Sequence, residues 1–424
     1  MANQFLLSQL IYKASIAAYK YKAPFVQSIY DASKYFDGLL PTSVKRPGAT
    51  VSVAKPVRTK STGGFGSMNV QFAPGDWVEE KVDISIDGYR KNHLSVGTIE
   101  GTQELSASQK EIMRTLVEDA AIQTEADFLA KAVPLTPNAV LATSGGGTAA
   151  NLQDVSRISP LIRKYGSQEE IKFLAGSDIH AEIAASGSVL FNPAAAISGQ
   201  YESNLVRGMA QGMKWYDHEM IPGHTNGTAT RGAFAGGVTP IGLVAAIPTD
   251  KTNTIALDGI TTNGTITAGT VIQIAGVRKV NLRTFETIPE LKTFAVKSTV
   301  TSADGEVVLE LVDVIDAGTI TATTQTCSAL PAVGAVVSIV GEAGAEYRQA
   351  LAYTKDAFMK ASQRIIEPYG DKNDSTMAKT DAGLWSFSFA GFDPVEAENI
   401  LRYDTIYGLS QGRGEHAVRL MIKV

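Results

Sequence analysis

The sequence predicts an α+β protein interrupted by a separate all-β module, and three patterns in its 424 residues carry that reading. A stripe of apolar residues at helical spacing runs without Gly or Pro through 102–132. Helix-like and strand-like segments alternate over 139–222. Between Gly223 and Ala345 the text changes to Thr, Gly, Ala and Val with few charges, in short alternating runs.

Taken in order, residues 4–22 place Leu6, Leu7, Leu10, Ile11 and Ala14 on one helical face, and Pro24 stops the pattern. From Thr50 to Val96 the period becomes two, clearest where Val82, Ile84 and Ile86 alternate with charged or polar neighbours. Turn signals at Thr62–Gly66 and Ala73–Asp76 split this stretch into a long β-hairpin with too few partners to cover both faces. The next pattern is the helix over 102–132, whose stripe contains Leu105, Ile112, Met113, Leu116, Val117, Ala120, Ala121 and Phe128. At 1.5 Å per residue it is a rod of about 45 Å, ended by Val133-Pro134. Helix is expected over 151–165 and 178–186, and strand over 171–175 and 213–221. In the module the expected strands are 238–246, 270–277, 293–300, 306–314 and 333–340, with Asp304-Gly305 as a hairpin turn. Helical text resumes at Glu346, 384–392 reads as strand, and 399–409 with 415–422 reads as a closing two-stranded ribbon. The β module therefore sits inside another domain.

Composition narrows the function. Hydrophobic residues make up 44% and charged residues 19%, which excludes a disordered chain. The lone Cys327 excludes an intrachain disulfide and a cysteine-based zinc cluster. No positively charged start precedes an apolar run, so no signal peptide is expected. The longest uncharged run, Ala317–Gly341, is Thr-rich and broken by Pro331, so no membrane span is expected. Net charge is -5, yet residues 1–60 carry nine Lys or Arg against two Asp. Such a basic arm suits acidic surfaces or nucleic acid, and equally a solvated face.

Four motifs resemble chemistry and fail on spacing. Tyr216-Asp217-His218-Glu219-Met220-Ile221-Pro222-Gly223-His224 sets two His around a Glu, but a zinc protease needs them four apart on a helix, and Pro222-Gly223 intervenes. Gly145–Ala150 fits G-x-G-x-x-A with Asp178 beyond, but only Val140 and Leu141 are bulky in the strand that must precede it. Gly408-Leu409-Ser410-Gln411-Gly412 fits a nucleophile elbow, but strand-like text follows it instead of a helix. Glu79-Glu80, adjacent on a strand, point to opposite faces. No P-loop occurs. No catalytic residue, metal site or cofactor is expected.

The order of parts, together with three local stretches, carries a resemblance. Gly269-Thr270-Val271-Ile272-Gln273-Ile274-Ala275-Gly276-Val277 matches a Gly-x-x-Ile-x-Phe-Ala-Gly-Val strand, with Ile274 at the Phe position. Tyr353–Phe358 with Ser362-Gln363, and the ending Leu401-Arg402, Tyr407-Gly408 and Ala417-Val418, are the other two. On these the chain resembles the major capsid proteins of tailed bacteriophages with the Hong Kong 97-type fold, in particular the insertion-domain coat proteins of short-tailed Salmonella phages.

The resemblance implies an N-terminal arm at 1–49, an extended loop at 50–96, and a peripheral domain at 97–149 and 391–424 containing the spine helix. It further implies an axial domain at 150–222 and 346–390 and a β-barrel-like insertion domain at 223–345. The junction residues are then Pro222, Gly223 and Ala345. Candidate contacts between subunits are Lys55, Arg58, Lys60, Glu79 and Glu80 on the extended loop. Asp250 and Lys251 join them, on a 248–259 loop reaching neighbouring capsomers. The implied partners are copies of the chain in pentamers and hexamers, a scaffolding protein, a portal protein and packaged double-stranded DNA. The implied place is the virion, assembled in the host cytoplasm without covalent cross-links. Other readings are an encapsulin-type cellular shell, against which the size of the insertion argues, and a nucleotide-dependent oxidoreductase using Gly145, Gly147 and Asp178.

Overall fold

A computed structural model describes residues 22–34, 50–55, 58, 79–97, 108–187, 209–319, 322–365, 374–393 and 398–424. The expected helix at 4–22, the turns at 62–66 and 73–76, and Lys60 lie outside the described residues. The chain forms two compact units, one made of Met1–Val53, Lys81–Lys131 and Phe358–Gly412, the other of Ala54–Glu80, Ala132–Ala357 and Arg413–Val424.

The first unit is a long helix against a sheet. The helix spans Ser108–Leu135 and buries Val117, Ala120, Ala121 and Phe128 of the expected stripe, with Leu129 in addition. Full burial of a side chain such as Phe128 is worth about 2–3 kcal/mol. Helical geometry continues one residue past Pro134, because a proline in the last turn forfeits a single amide bond there. The sheet runs in the order Tyr30–Asp31, Phe358–Ser362, Glu398–Gln411, Trp385–Asp393, Asp374–Lys379, with Gly88–Gly97 paired along Glu398–Gln411. Phe128 meets Tyr407 with ring centroids 5.0 Å apart, and Asp127 takes both Arg90 Nε at 2.6 Å and Nη2 at 2.5 Å.

The expected 50–96 hairpin divides in two. Thr50–Ala54 and Lys81–Ser85 form a two-stranded ribbon whose inward residues Val51, Val53, Val82 and Ile84 pack on Ala32, Met359 and Ala361 of the same unit. The following strand, Gly88–Gly97, leaves this ribbon for the main sheet. Gly88 permits the change, since a Cβ there would overlap the Tyr407 ring. The described part of the hairpin therefore finds its partners within its own unit, contrary to expectation.

The second unit holds a seven-stranded sheet in the order Asn138–Leu141, Ala417–Lys423, Glu346–Tyr353, Ile171–Ala175, Met213–Asp217, Met209–Ala210, with His224–Thr225 also on Glu346–Tyr353. Helices Leu152–Ser156, Ile158–Lys164 and Ser177–Gly187 supply Val155, Ile158, Ile162, Ile179 and Ile183 to its core. Two sequence expectations fail here. Glu346–Tyr353 is a strand at the centre of the sheet, not a helix, because nearly every residue in it is buried between two neighbours and packing overrides the propensity of Glu, Gln, Ala and Leu. Ala417–Lys423 is buried along almost its whole length and pairs with Glu346–Tyr353 and Asn138–Leu141, so it forms no ribbon with Glu398–Gln411.

The β module has its own core and a six-stranded sheet ordered Thr287–Ala295, Val271–Val280, Val336–Val340, Val238–Val244, Thr252–Asp258, Val307–Ile315. A bridge between Val296 and Leu311 brings its two ends together, which makes the sheet barrel-like. Thr252–Asp258 is a strand paired on both sides, so the expected 248–259 loop shrinks to the turn before it. The chain enters through His224–Thr225 and leaves through Glu346–Tyr347, which pair with each other. Asn226 N–H to Ala345 O at 3.0 Å and Gly344 N–H to Gly227 O at 2.9 Å extend this stem.

Candidate assembly interface

At the foot of the extended loop, Lys55 N–H donates to Glu80 O at 2.7 Å, which fixes the register where the two strands part. Arg58 turns back on its own unit, donating to Gln325 O at 3.0 Å and Thr324 O at 2.7 Å, with Glu80 Oε1 3.9 Å away. Glu79 is exposed and Glu80 half-buried. Lys55, Arg58, Glu80, Arg413 and Glu415 line one small polar cavity. Burial opposes ionisation of Glu415, but Lys292, 3.7 Å away, and then Lys55 overcome it and hold its carboxyl down at about 2. The loop-foot charges expected at a neighbour thus anchor the loop to its own subunit first. Among the described ones, Glu79 is the exposed residue.

Asp250 is 8% exposed and accepts from Ala317 N–H at 2.8 Å, Thr319 N–H at 2.9 Å and the Thr319 hydroxyl. A carboxylate saturated in this way ties the turn at 316–319 to the turn at 248–251. Lys251 adopts a φ of 63° and donates its N–H to Ile315 O at 2.9 Å. The turn is an internal brace of the module.

The histidine-rich stretch forms the approach to the module's stem. His218 N–H donates to Ala175 O at 2.9 Å, and Glu219 Oε1 accepts Ser177 N–H at 2.9 Å, capping the helix that starts there. His224 lies in the stem with Nε2 3.3 Å from Thr270 Oγ1, and burial, with Arg419 nearby, pushes it down to about 4. The turn lies at Glu219-Met220, ahead of the expected Pro222-Gly223, which run from it into the stem. A Cβ on Gly223 would come 3.3 Å from Tyr347 O, so the closeness of the outgoing strand fixes a small residue there. Ala345, whose carbonyl accepts Asn226 N–H, closes the other side. Among the described residues, no group of three or more His, Cys, Asp or Glu gathers as metal ligands, and no helix is long and apolar enough to cross a membrane.

The dinucleotide pattern is also occupied. Gly145–Gly147 is a 3-10 turn bridged by Ser144 and Ala149, and the helix after it has five residues. Asp178 bonds Arg348 Nη1 at 2.5 Å, while Nη2 reaches Glu182 at 2.8 Å and Thr148 O at 3.3 Å. Asp178 is therefore a salt-bridge partner in place of a ribose ligand. Ser410 lies inside a strand, paired with Met359, and no elbow forms.

Sequence reasoning missed the fully buried charges. Glu125 accepts Phe25 N–H at 2.6 Å and Val26 N–H at 2.9 Å at the start of helix Pro24–Ser28. Arg419, also 0% exposed, donates to Thr136 O at 2.9 Å and Gly269 O at 2.7 Å. Neither carries a motif. For Arg419 the one signal in the text is a charge inside the apolar run Ala417–Ile422, whereas Glu125 is one of many charged residues in its helix and has none.

A family model described as P22 coat protein, gene protein 5, matches residues 109–420. Similar solved structures include one from Mycobacterium phage Che8, at 12% identity over 88% of this chain and 85% of that chain, TM-score 0.43. The capsid of Ralstonia phage GP4 is similar at 9% identity over 95% and 92%, TM-score 0.46. That of cyanophage P-SCSP1u is similar at 10% over 88% and 84%, TM-score 0.41. A comparison with curated proteins finds no match. The family match spans nearly all of the long helix, most strands of both large sheets and the whole β module, and on it the chain belongs to the P22 coat protein family, as a phage coat protein of the virion capsid.

Proposed function

We propose that the chain is the major capsid subunit of a tailed phage, assembling as pentamers and hexamers into an icosahedral head around double-stranded DNA. The observation that carries this reading is the family match over 109–420. The long helix on a sheet, the two-stranded ribbon and the inserted barrel-like module support reading the subunit as Hong Kong 97-type. In this reading 1–49 is the arm, 50–96 the extended loop and 223–345 the insertion domain. The helix-and-sheet unit is peripheral. The seven-stranded sheet is axial and includes 346–353 and 417–423. The role is structural, with scaffolding and portal proteins as partners during assembly in the host cytoplasm.

The basic excess in 1–60 suits contact with the packaged DNA, where binding to phosphate weakens steeply with salt. Negative-stain microscopy of the chain expressed alone, and together with the phage's other genes, tests the proposal. Closed shells are expected. Small discrete oligomers in both preparations would overturn it, and shells that never hold DNA would favour an encapsulin-type container.

A further inference from the structure

Strand Asn138–Leu141 ends the seven-stranded sheet and runs parallel to Ala417–Lys423. Ala142 N–H donates to Met421 O at 2.9 Å, so by alternation Asn138, Val140 and Ala142 turn their backbones to the neighbour while Ala139 and Leu141 face away. Neither Ala139 nor Leu141 has a backbone partner for these outward groups among the described residues. One residue further on the edge is closed, because Asp154 takes Thr143 N–H at 3.0 Å and its hydroxyl at 2.7 Å. The opening is thus limited to two residues.

Opposite lies Thr287–Ala295, the end strand of the module's sheet. The two edges touch where Thr293 Oγ1 donates to Asn138 Oδ1 at 3.1 Å, and from there they part around an open groove of about 890 Å³. Leu141, Leu291 and the 43% exposed Phe234 give it an apolar lining. Its cations are Arg157, Lys164, Lys279 and Lys423, against Glu290 and Glu342. Glu290 is shared by Lys164 and Lys279, and Glu342 takes Lys423 at 2.6 Å, so Arg157 is left over.

We infer that this groove is a contact between copies of the chain, in which an extended segment of a second copy adds as a strand to the Ala139–Leu141 edge. An open edge between apolar walls is the geometry of strand addition, and a soluble chain that leaves one exposed invites pairing. The cationic excess selects an acidic partner, and the chain itself has a net charge of -5. The inference rests on the assembly reading above, since in a shell of one coat protein the neighbour on most sides is another copy.

The test uses the full chain with Phe234→Cys. The native Cys327 does not compete, being fully buried with its thiol pushed up to about 11. A polar maleimide is reacted with the unassembled chain and with particles isolated from cells expressing this chain alone. With no other phage protein present, slower labelling in particles reports a second copy, and we expect at least a tenfold slowing. Ala139→Pro, which removes only the outward N–H, and Arg157→Glu should each lower particle yield several-fold while leaving the melting of the unassembled chain unchanged. Equal labelling rates in the two states, or a groove already protected before assembly, would overturn the inference. If the chain alone gives no particles, the same comparison is made on particles formed with the phage's other genes, and absence in both preparations would instead sink the assembly reading beneath it.

Discussion

Arg419 places a full charge at 0% exposure with two backbone carbonyls in the position where a carboxylate would be expected, and burial alone pushes its guanidinium down to about 9. Thr136 O is at the end of the long helix, where the dipole is negative, and this compensates part of the cost. Arg419→Met removes the buried charge but leaves Thr136 O and Gly269 O unpaired, at about 1–3 kcal/mol each. A net loss of about 2 kcal/mol in urea unfolding is expected, and an unchanged midpoint would show that the carbonyls find water. Glu125 gives a pH signature. Burial lifts it to about 8 against the pull of Val26 and Phe25 N–H and of Lys360. The folded state then holds the proton more tightly than the unfolded state, whose carboxyl titrates near 4.5. Stability from this group is complete below about 4.5 and is lost as pH rises through about 8. Denaturation midpoints should fall between pH 5 and 8, and Glu125→Gln should flatten that slope.

At the scale of elements, the turn at 248–251 and the stem at 224–226 are braces, and they respond differently to substitution. Asp250→Ala unpairs Ala317 and Thr319 N–H, and a loss of about 1–3 kcal/mol in the module's melting is expected. Were Asp250 instead a contact between copies, melting would hold and only particle yield would drop. His218→Gln and His224→Gln should leave both nearly intact, and a chelator should not change the melting temperature. Particles dismantled by chelation would restore the metal reading of this stretch. The 102–132 stripe was legible because helical spacing over so many residues has no competing period. Glu346–Tyr353 was not, because Glu, Gln, Ala and Leu favour helix locally, whereas three flanking strands, distant in sequence, pair along its two edges and nearly all of it is buried. Thr252–Asp258 was hidden for a similar reason. Its short alternation, T-N-T-I-A-L-D, becomes a strand only through pairing with Val238–Val244 and Val307–Ile315.

For the whole molecule, the module's separate core and closed stem predict that residues 224–347, expressed alone, unfold cooperatively. The fragment loses Arg419, Glu415 and Asn138 as partners of Gly269, Lys292 and Thr293, so its melting should lie below that of the same module in the full chain. A fragment without a cooperative transition would mean that the main sheet is part of the module's fold. The sequence by itself determined the α+β class, the long helix and the presence of a β module between two halves of another domain. Period and composition are local properties, which is why these features were legible. Only the tertiary structure decided which strands pair, where the buried charges find their partners and that Asp250 and Arg58 are held within their own subunit. Those outcomes depend on residues tens to hundreds of positions apart, and no local pattern encodes them. The stretch that looks like a metal site, Tyr216–His224, is in the structure the link between two strands of the seven-stranded sheet, the second of which opens the stem of the β module.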